Sequence, residues 1–200
     1  MAACTPSIYE VFDHQKTDLL ISLLNDSPEM TSVVVFLRSR ENVHLLTSAL
    51  NTAGLAADSV HGTKKPELRE RTVREFLAGK FRILVATESV TRAVDLSRVA
   101  HIIYFEFHER DADFLRHLES ADEVLTFVTQ EEHSPLLKLD KLTHAAIPRK
   151  KLEGFPYASQ PKNKRGPGGG NKTQSKPLQH KKPKLKNKGP RRKTGRTRKR

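Results

Sequence analysis

Ser32-Val33-Val34-Val35-Phe36-Leu37 and Phe81-Arg82-Ile83-Leu84-Val85-Ala86 are the stretches whose reading decides the fold. Three β-branched residues in a row, with no polar residue alternating between them, describe a strand covered on both faces, the situation in a parallel sheet flanked by helices. Outward from these runs, strand and helix patterns alternate. Ser7 to Phe12 reads as a short strand, and Asp13 is placed to cap a helix with Leu19, Leu20, Leu23 and Leu24 at three- and four-residue spacing. Ser39 caps a second helix carrying Val43, Leu46 and Leu50, closed at Gly54, and Ala57 to Val60 is the next strand. Pro66 opens a helix with Leu68, Val73, Phe76 and Leu77, ended by Gly79. After the run ending at Ala86 come a short helical turn, a strand from His101 to Phe105, a helix around Asp111 to Leu118, a strand from Glu123 to Val128 and a helix from Gln130 to Leu142. Such an order implies right-handed crossovers in a mainly parallel sheet, with ligands off the carboxyl ends of the strands.

Charge divides the chain differently. Of 36 Lys and Arg against 23 Asp and Glu, 20 bases and a single acid, Glu153, lie from Arg149 onward, so the preceding 148 residues are mildly acidic. The composition past Ala146 shifts to Lys, Arg, Pro, Gly, Asn and Gln. The expected organisation is therefore a folded body over residues 1–146 and a disordered Lys/Arg-rich tail over 147–200, with nucleic acid as the partner its charge implies. One cysteine, Cys4, leaves no disulfide framework, and the longest apolar run, Val33 to Leu37, is far short of a membrane span. No apolar stretch near the N-terminus resembles a signal peptide, so the expected compartment is the cytoplasm. The nine histidines show no close i, i+4 pair, and no metal site is expected. No G-x-S-x-G elbow occurs either, so no catalytic residue is nominated.

Four pieces in one order carry a family resemblance: Val33-Val34-Val35-Phe36-Leu37-Arg38-Ser39, His61-Gly62, Phe76 with Gly79-Lys80, and Ile83-Leu84-Val85-Ala86-Thr87-Glu88-Ser89-Val90-Thr91-Arg92-Ala93-Val94-Asp95. Together they resemble the second RecA-like domain of DEAD-box RNA helicases, and the resemblance covers nearly the whole body. It implies a RecA-like three-layer α/β sandwich. It also implies that Thr87 meets an RNA phosphate, that Asp95 faces the ATP ribose, that Arg92 lies toward an interdomain cleft, and that Gly62 and Arg69 lie against the RNA backbone. Loop amides and hydroxyls at a helix start suit phosphate oxygens. The alternative on residue types alone is that Thr87 and Asp95 cap the local turn and that Arg92 and Arg69 are solvated charges.

Departures from the family pattern are as informative. Glu88 stands for an Asp and Ala93 for a Gly, while the Gly-Asp followed by Gln-x-x-Arg reads here as His61-Gly62-Thr63 with Pro66 and Arg69. Where the resemblance expects H-R-x-G-R-x-x-R, its sixth motif, whose arginines stabilise the charge developing on the transferred phosphoryl, the chain has Phe114-Leu115-Arg116-His117-Leu118-Glu119-Ser120 and then resumes at Glu123, so the resemblance implies that this motif and its arginine finger are lost. A phosphate-binding G-x-x-x-x-G-K-[ST] loop and a D-E-A-D tetrapeptide do not occur in these 200 residues. The expectation is a DEAD-box-like domain that binds RNA and does not hydrolyse ATP by itself. ATP and magnesium enter only if a separate chain supplies the first helicase domain, the split-helicase alternative; a truncated gene product is the third. In the tail, Lys181, Lys182, Lys184, Arg191 and Arg192 are the expected RNA-binding cations, with a nuclear localisation signal as the other reading.

Overall fold

The structure is a computed structural model that describes residues 4, 6–91, 99–106, 111–129, 137, 140–141, 143 and 146–158. Seven strands form one sheet in the order β3-β4-β2-β5-β6-β1-β7, and every neighbouring pair is parallel. They are β1 (Ser7–Glu10), β2 (Val33–Leu37), β3 (Ala57–Val60), β4 (Ile83–Thr87), β5 (His101–Tyr104), β6 (Glu123–Val128) and β7 (Arg149–Lys150). Between them run α1 (Lys16–Asp26), α2 (Arg40–Thr52), α3 (Pro66–Leu77), the short α4 (Glu88–Thr91) and α5 (Asp111–Ser120).

The pleat sorts the core into two halves. Val33, Val35 and Leu37 of β2 face Leu19, Leu20, Leu23 and Leu24 of α1 and Val43, Leu46 and Leu50 of α2. Val34 and Phe36 face Val73 and Phe76 of α3 and Phe114 of α5 on the opposite side. All five residues of β2 and all five of β4 are buried, as two-sided coverage requires. Helix stops follow the local chemistry: Asn42 donates its backbone N–H to Ser39 Oγ at 3.1 Å, and Gly54 and Gly79 take the left-handed conformation that ends α2 and α3.

Three expectations are corrected. Asp13 is not a side-chain cap: a 3-10 turn over Asp13–Gln15 precedes α1, and the Asp13 carboxylate instead lies 3.6 Å from Nζ of buried Lys16. Leu68 lies on the open face of α3, 45% exposed, because the helical period that buries Thr72, Val73 and Phe76 turns position 68 outward. The body also continues past residue 146. Ile147 is buried, Ile8 donates its N–H to Pro148 O at 2.9 Å, and β7 pairs with β1. Leu152, Phe155 and Tyr157 pack on the α1–α2 side, and Gln15 bonds both Pro156 O and the Ala158 N–H at 2.9 Å. Arg149 and Lys150, two of the bases assigned to the tail, are spent on Glu10 and Glu123 at 3.1 Å each. The helix expected from Gln130 to Leu142 falls mostly outside the described residues, of which Leu137, Asp140 and Lys141 are helical.

The β3 edge of the sheet is closed by side chains. At β3, the Ala57 N–H donates to Asn51 Oδ1 at 3.1 Å and Ala57 O accepts from Asn51 Nδ2 at 2.9 Å. Ser59 N donates to Asp58 Oδ1 at 2.6 Å and Ser59 O accepts from Lys64 Nζ at 2.7 Å. An edge whose backbone groups are already bonded offers little template for another strand.

Candidate nucleic-acid interface at the carboxyl edge of the sheet

Because every strand is parallel, all carboxyl ends emerge on one edge. The registers Leu37↔Thr87, Val60↔Ala86 and Phe36↔Tyr104 set Arg38-Ser39, His61-Gly62, Thr87 and Phe105-Glu106 side by side there. This is the crevice where open α/β sheets bind ligands.

Thr87 ends β4, is buried, and its Oγ1 has no hydrogen-bond partner among the described residues. Its hydroxyl is therefore not capping α4, the local role that its residue type allowed. Leaving a buried hydroxyl unbonded costs about 1–3 kcal/mol, so the group is available for a ligand oxygen. Gly62 is exposed, and a Cβ built there would meet nothing within 4 Å; its backbone is not in the left-handed region. The domain's own packing thus does not demand glycine at 62, whereas a ligand lying against the backbone would. Arg69, in the first turn of α3, is half-buried, and its guanidinium forms no ion pair among the described residues. Arg92 and Asp95 lie outside the described residues, as do Lys181, Lys182, Lys184, Arg191 and Arg192.

The other groups on this edge are committed internally. Lys64, the nearest lysine to Gly62, bends back to Ser59 O, to Thr72 Oγ1 at 3.2 Å and to Asp58 at 3.5 Å. His61 is buried, its Nδ1 lies 2.9 Å from Thr63 Oγ1, and its ring meets His44 edge-on at 4.5 Å between centroids. Burial, and after it His44, Lys64 and Arg40, push the His61 imidazole below the usual histidine range, with Glu41 opposing. The His44–His61 contact joins two helix–loop elements invisible to i, i+4 spacing, yet no group of three or more His, Cys, Asp or Glu able to hold a metal occurs among the described residues. Glu106 was not legible in the sequence. Its carboxylate accepts the Arg38 N–H at 2.7 Å and Asn42 Nδ2 at 2.6 Å, so an anion of the protein already occupies the start of α2. The signal was its place two residues after β5, on the same edge as Ser39.

On the far side of the edge, α5 packs inward. Phe114 and His117 are buried, His117 stacks on Phe36 at 5.1 Å and 4°, and its Nδ1 is 2.6 Å from the Tyr104 hydroxyl. Arg116 is exposed. Two residues, Ala121 and Asp122, join α5 to β6, with amides bonded to His117 O and Ala100 O.

A parallel sheet in this order, layered between helices and with a backbone-rich carboxyl edge, defines a RecA-like α/β domain. The family described as helicase conserved C-terminal domain matches residues 15–119, and the chain belongs to it. It is 31% identical over 149 residues to the DEAD-box ATP-dependent RNA helicase CshA of Geobacillus kaustophilus, covering 71% of this chain and 32% of that protein. CshA of Bacillus subtilis is likewise 31% identical over 149 residues, covering 71% and 30%. The chain thus spans about a third of the length of these relatives. Among solved structures, E. coli DEAD-box protein SrmB, bound to regulator of ribonuclease activity A, superposes with a TM-score of 0.69 at 23% identity over 80% of this chain and 99% of that one. S. cerevisiae Dbp5 bound to RNA and ADP BeF3 gives 0.68 at 16% identity over 75% and 42%. The domain is of the C-terminal, second-domain kind found in DEAD-box RNA helicases.

Proposed function

We propose that the chain is an RNA-binding second helicase domain that does not turn over ATP by itself. The observation that carries this is the buried hydroxyl of Thr87, unbonded among the described residues, set on the same edge as the sterically open Gly62, with Arg69, which forms no ion pair among those residues, on the helix that follows. These groups suit phosphate oxygens and a closely approaching backbone, and they read no base, so they position RNA without choosing its sequence. The basic stretch beyond Ala158, with 17 Lys and Arg and no acid, supplies most of the affinity through counterion release. A relative of the same fold, Dbp5, is known in complex with RNA and a nucleotide analogue, which supports both partners for this domain type.

The loss of hydrolysis rests on three features. These residues contain no phosphate loop and no D-E-A-D tetrapeptide, and a two-residue connection follows α5 where an arginine finger would project. Such a finger contributes on the order of a thousand- to a hundred-thousand-fold in rate. Asp95 and Arg92 are the nucleotide-facing residues of this reading. ATP and magnesium are engaged only when a first domain is supplied by a partner, in which case the chain is half of a split helicase. A cytoplasmic setting, compatible with the single Cys4, completes the proposal. ATP hydrolysis by the purified chain, with and without RNA, tests it. The expected rate is that of buffer; RNA-stimulated turnover abolished by Asp95→Ala overturns it.

A further inference from the structure

A second feature of the carboxyl edge is independent of RNA. Between α1 and α2, at the ends of β2 and β5, lies a groove of about 350 Å³ with Leu37, Leu46 and Phe105 among its lining residues. Leu45 stands in its wall and is 70% exposed, while Val43, Leu46 and Leu50 of the same helix are buried. The charged residues among those lining the groove are Asp13 and Glu106, both acidic. The Asp13 side chain, whose Oδ1 lies 3.6 Å from Lys16 Nζ, is 87% exposed at the mouth. Glu106 is held in place by the Arg38 N–H and Asn42, and a carboxylate accepting two bonds retains two further lone-pair directions. A fixed carboxylate above an apolar floor has already met the ordering cost that weakens exposed ion pairs.

We propose that this groove docks a segment of a partner protein in which an Arg or Lys adjoins a Leu, Met or Phe. The apolar side chain enters against Leu45, Leu46 and Phe105, and the cation meets Glu106, with Asp13, paired to Lys16, at the rim. An aliphatic stem of Arg or Lys lies along such walls while its head reaches the acids, and arginine forms the paired bonds that a carboxylate accepts best. The same two acids repel a phosphate backbone, which separates this groove from the RNA-facing residues.

The test uses the full chain and a displayed library of random short peptides, selected in parallel against the parent, Leu45→Asp and Leu45→Lys. Both substitutions are at a mostly exposed position, and thermal melting checks that each variant stays folded. Peptides enriched on the parent relative to the variants are expected to carry a basic residue beside an apolar one. They should bind Leu45→Lys about tenfold more weakly than the parent, the loss of a buried anchor together with charge repulsion, and excess single-stranded RNA should not displace them. Peptides that bind the basic stretch are common to all three proteins and drop out of the comparison. An empty difference set, a set of acidic or purely polar peptides, or displacement by RNA overturns the proposal.

Discussion

Replacing Thr87 by Val removes one hydroxyl and keeps nearly the same shape. The two consequences have opposite signs. In the folded domain Oγ1 is buried with no partner among the described residues, and a methyl group is at home beside the apolar residues of β4. Removing an unbonded buried hydroxyl returns part of its roughly 1–3 kcal/mol burial cost, so Thr87→Val should be about 1 kcal/mol more stable than the parent. For a chain of this size that raises the melting temperature by about 2–4 °C. RNA binding should move the other way. A hydrogen bond to a charged oxygen contributes roughly 1.5–3 kcal/mol, so affinity falls about ten- to a hundredfold. The salt dependence should barely change, because no cation is removed. Thermal melts and fluorescence anisotropy with a labelled single-stranded RNA at fixed salt measure both. A variant that melts lower and binds RNA as tightly as the parent would refute the reasoning, since it would mean the hydroxyl stabilises the fold.

Two further outcomes follow from groups on the same edge. His61 is held below the ordinary histidine range, so its neutral form is favoured by folding; its contribution to stability is complete above the unfolded value, near 6.5, and is lost as pH falls through the lower folded value. Denaturant titrations of parent and His61→Gln from neutral to mildly acidic pH should show a shallower fall for the variant, and parallel curves would count against it. Opening the edge of β3 with Asn51→Ala and Lys64→Ala, which unbonds the Ala57 N–H and carbonyl and the Ser59 carbonyl, should cost about 1 kcal/mol per lost bond and promote self-association visible by light scattering; a double variant as stable and monodisperse as the parent contradicts that account.

Much of the architecture was legible because it rests on local patterns. Val33 to Leu37 and the strand ending at Ala86 are apolar on both faces, and the stops at Gly54 and Gly79 need a left-handed residue. What escaped depends on contacts distant in sequence. Nothing in Leu152, Phe155 or Tyr157 announces that a Lys- and Pro-rich stretch folds back onto α1, since the hydrogen bonds that hold it there join Gln15 to Pro156 and Ala158. At the candidate site, the positions of Thr87 and Gly62 on the carboxyl edge were readable from the strand pattern. The partner state of the Thr87 hydroxyl, the burial of His61 against His44, and the grip of Glu106 on Arg38 and Asn42 are properties of the assembled edge. Asp13 misled because a cap motif is local, whereas Lys16, buried at the start of α1, claims its carboxylate.

The central claim, RNA held by a basic extension and positioned by the carboxyl edge, is tested most directly by RNA affinity across a salt series for the full chain and for a chain ending at Ala158. Cutting there keeps β7 and the packing of Tyr157, so the body stays folded. With about six cations of the extension on single-stranded RNA, log affinity against log salt should slope near −4 for the full chain, at about 0.7 per phosphate. The shortened chain should bind far more weakly with a much flatter slope. A shortened chain that keeps the full affinity and the full slope would contradict the account.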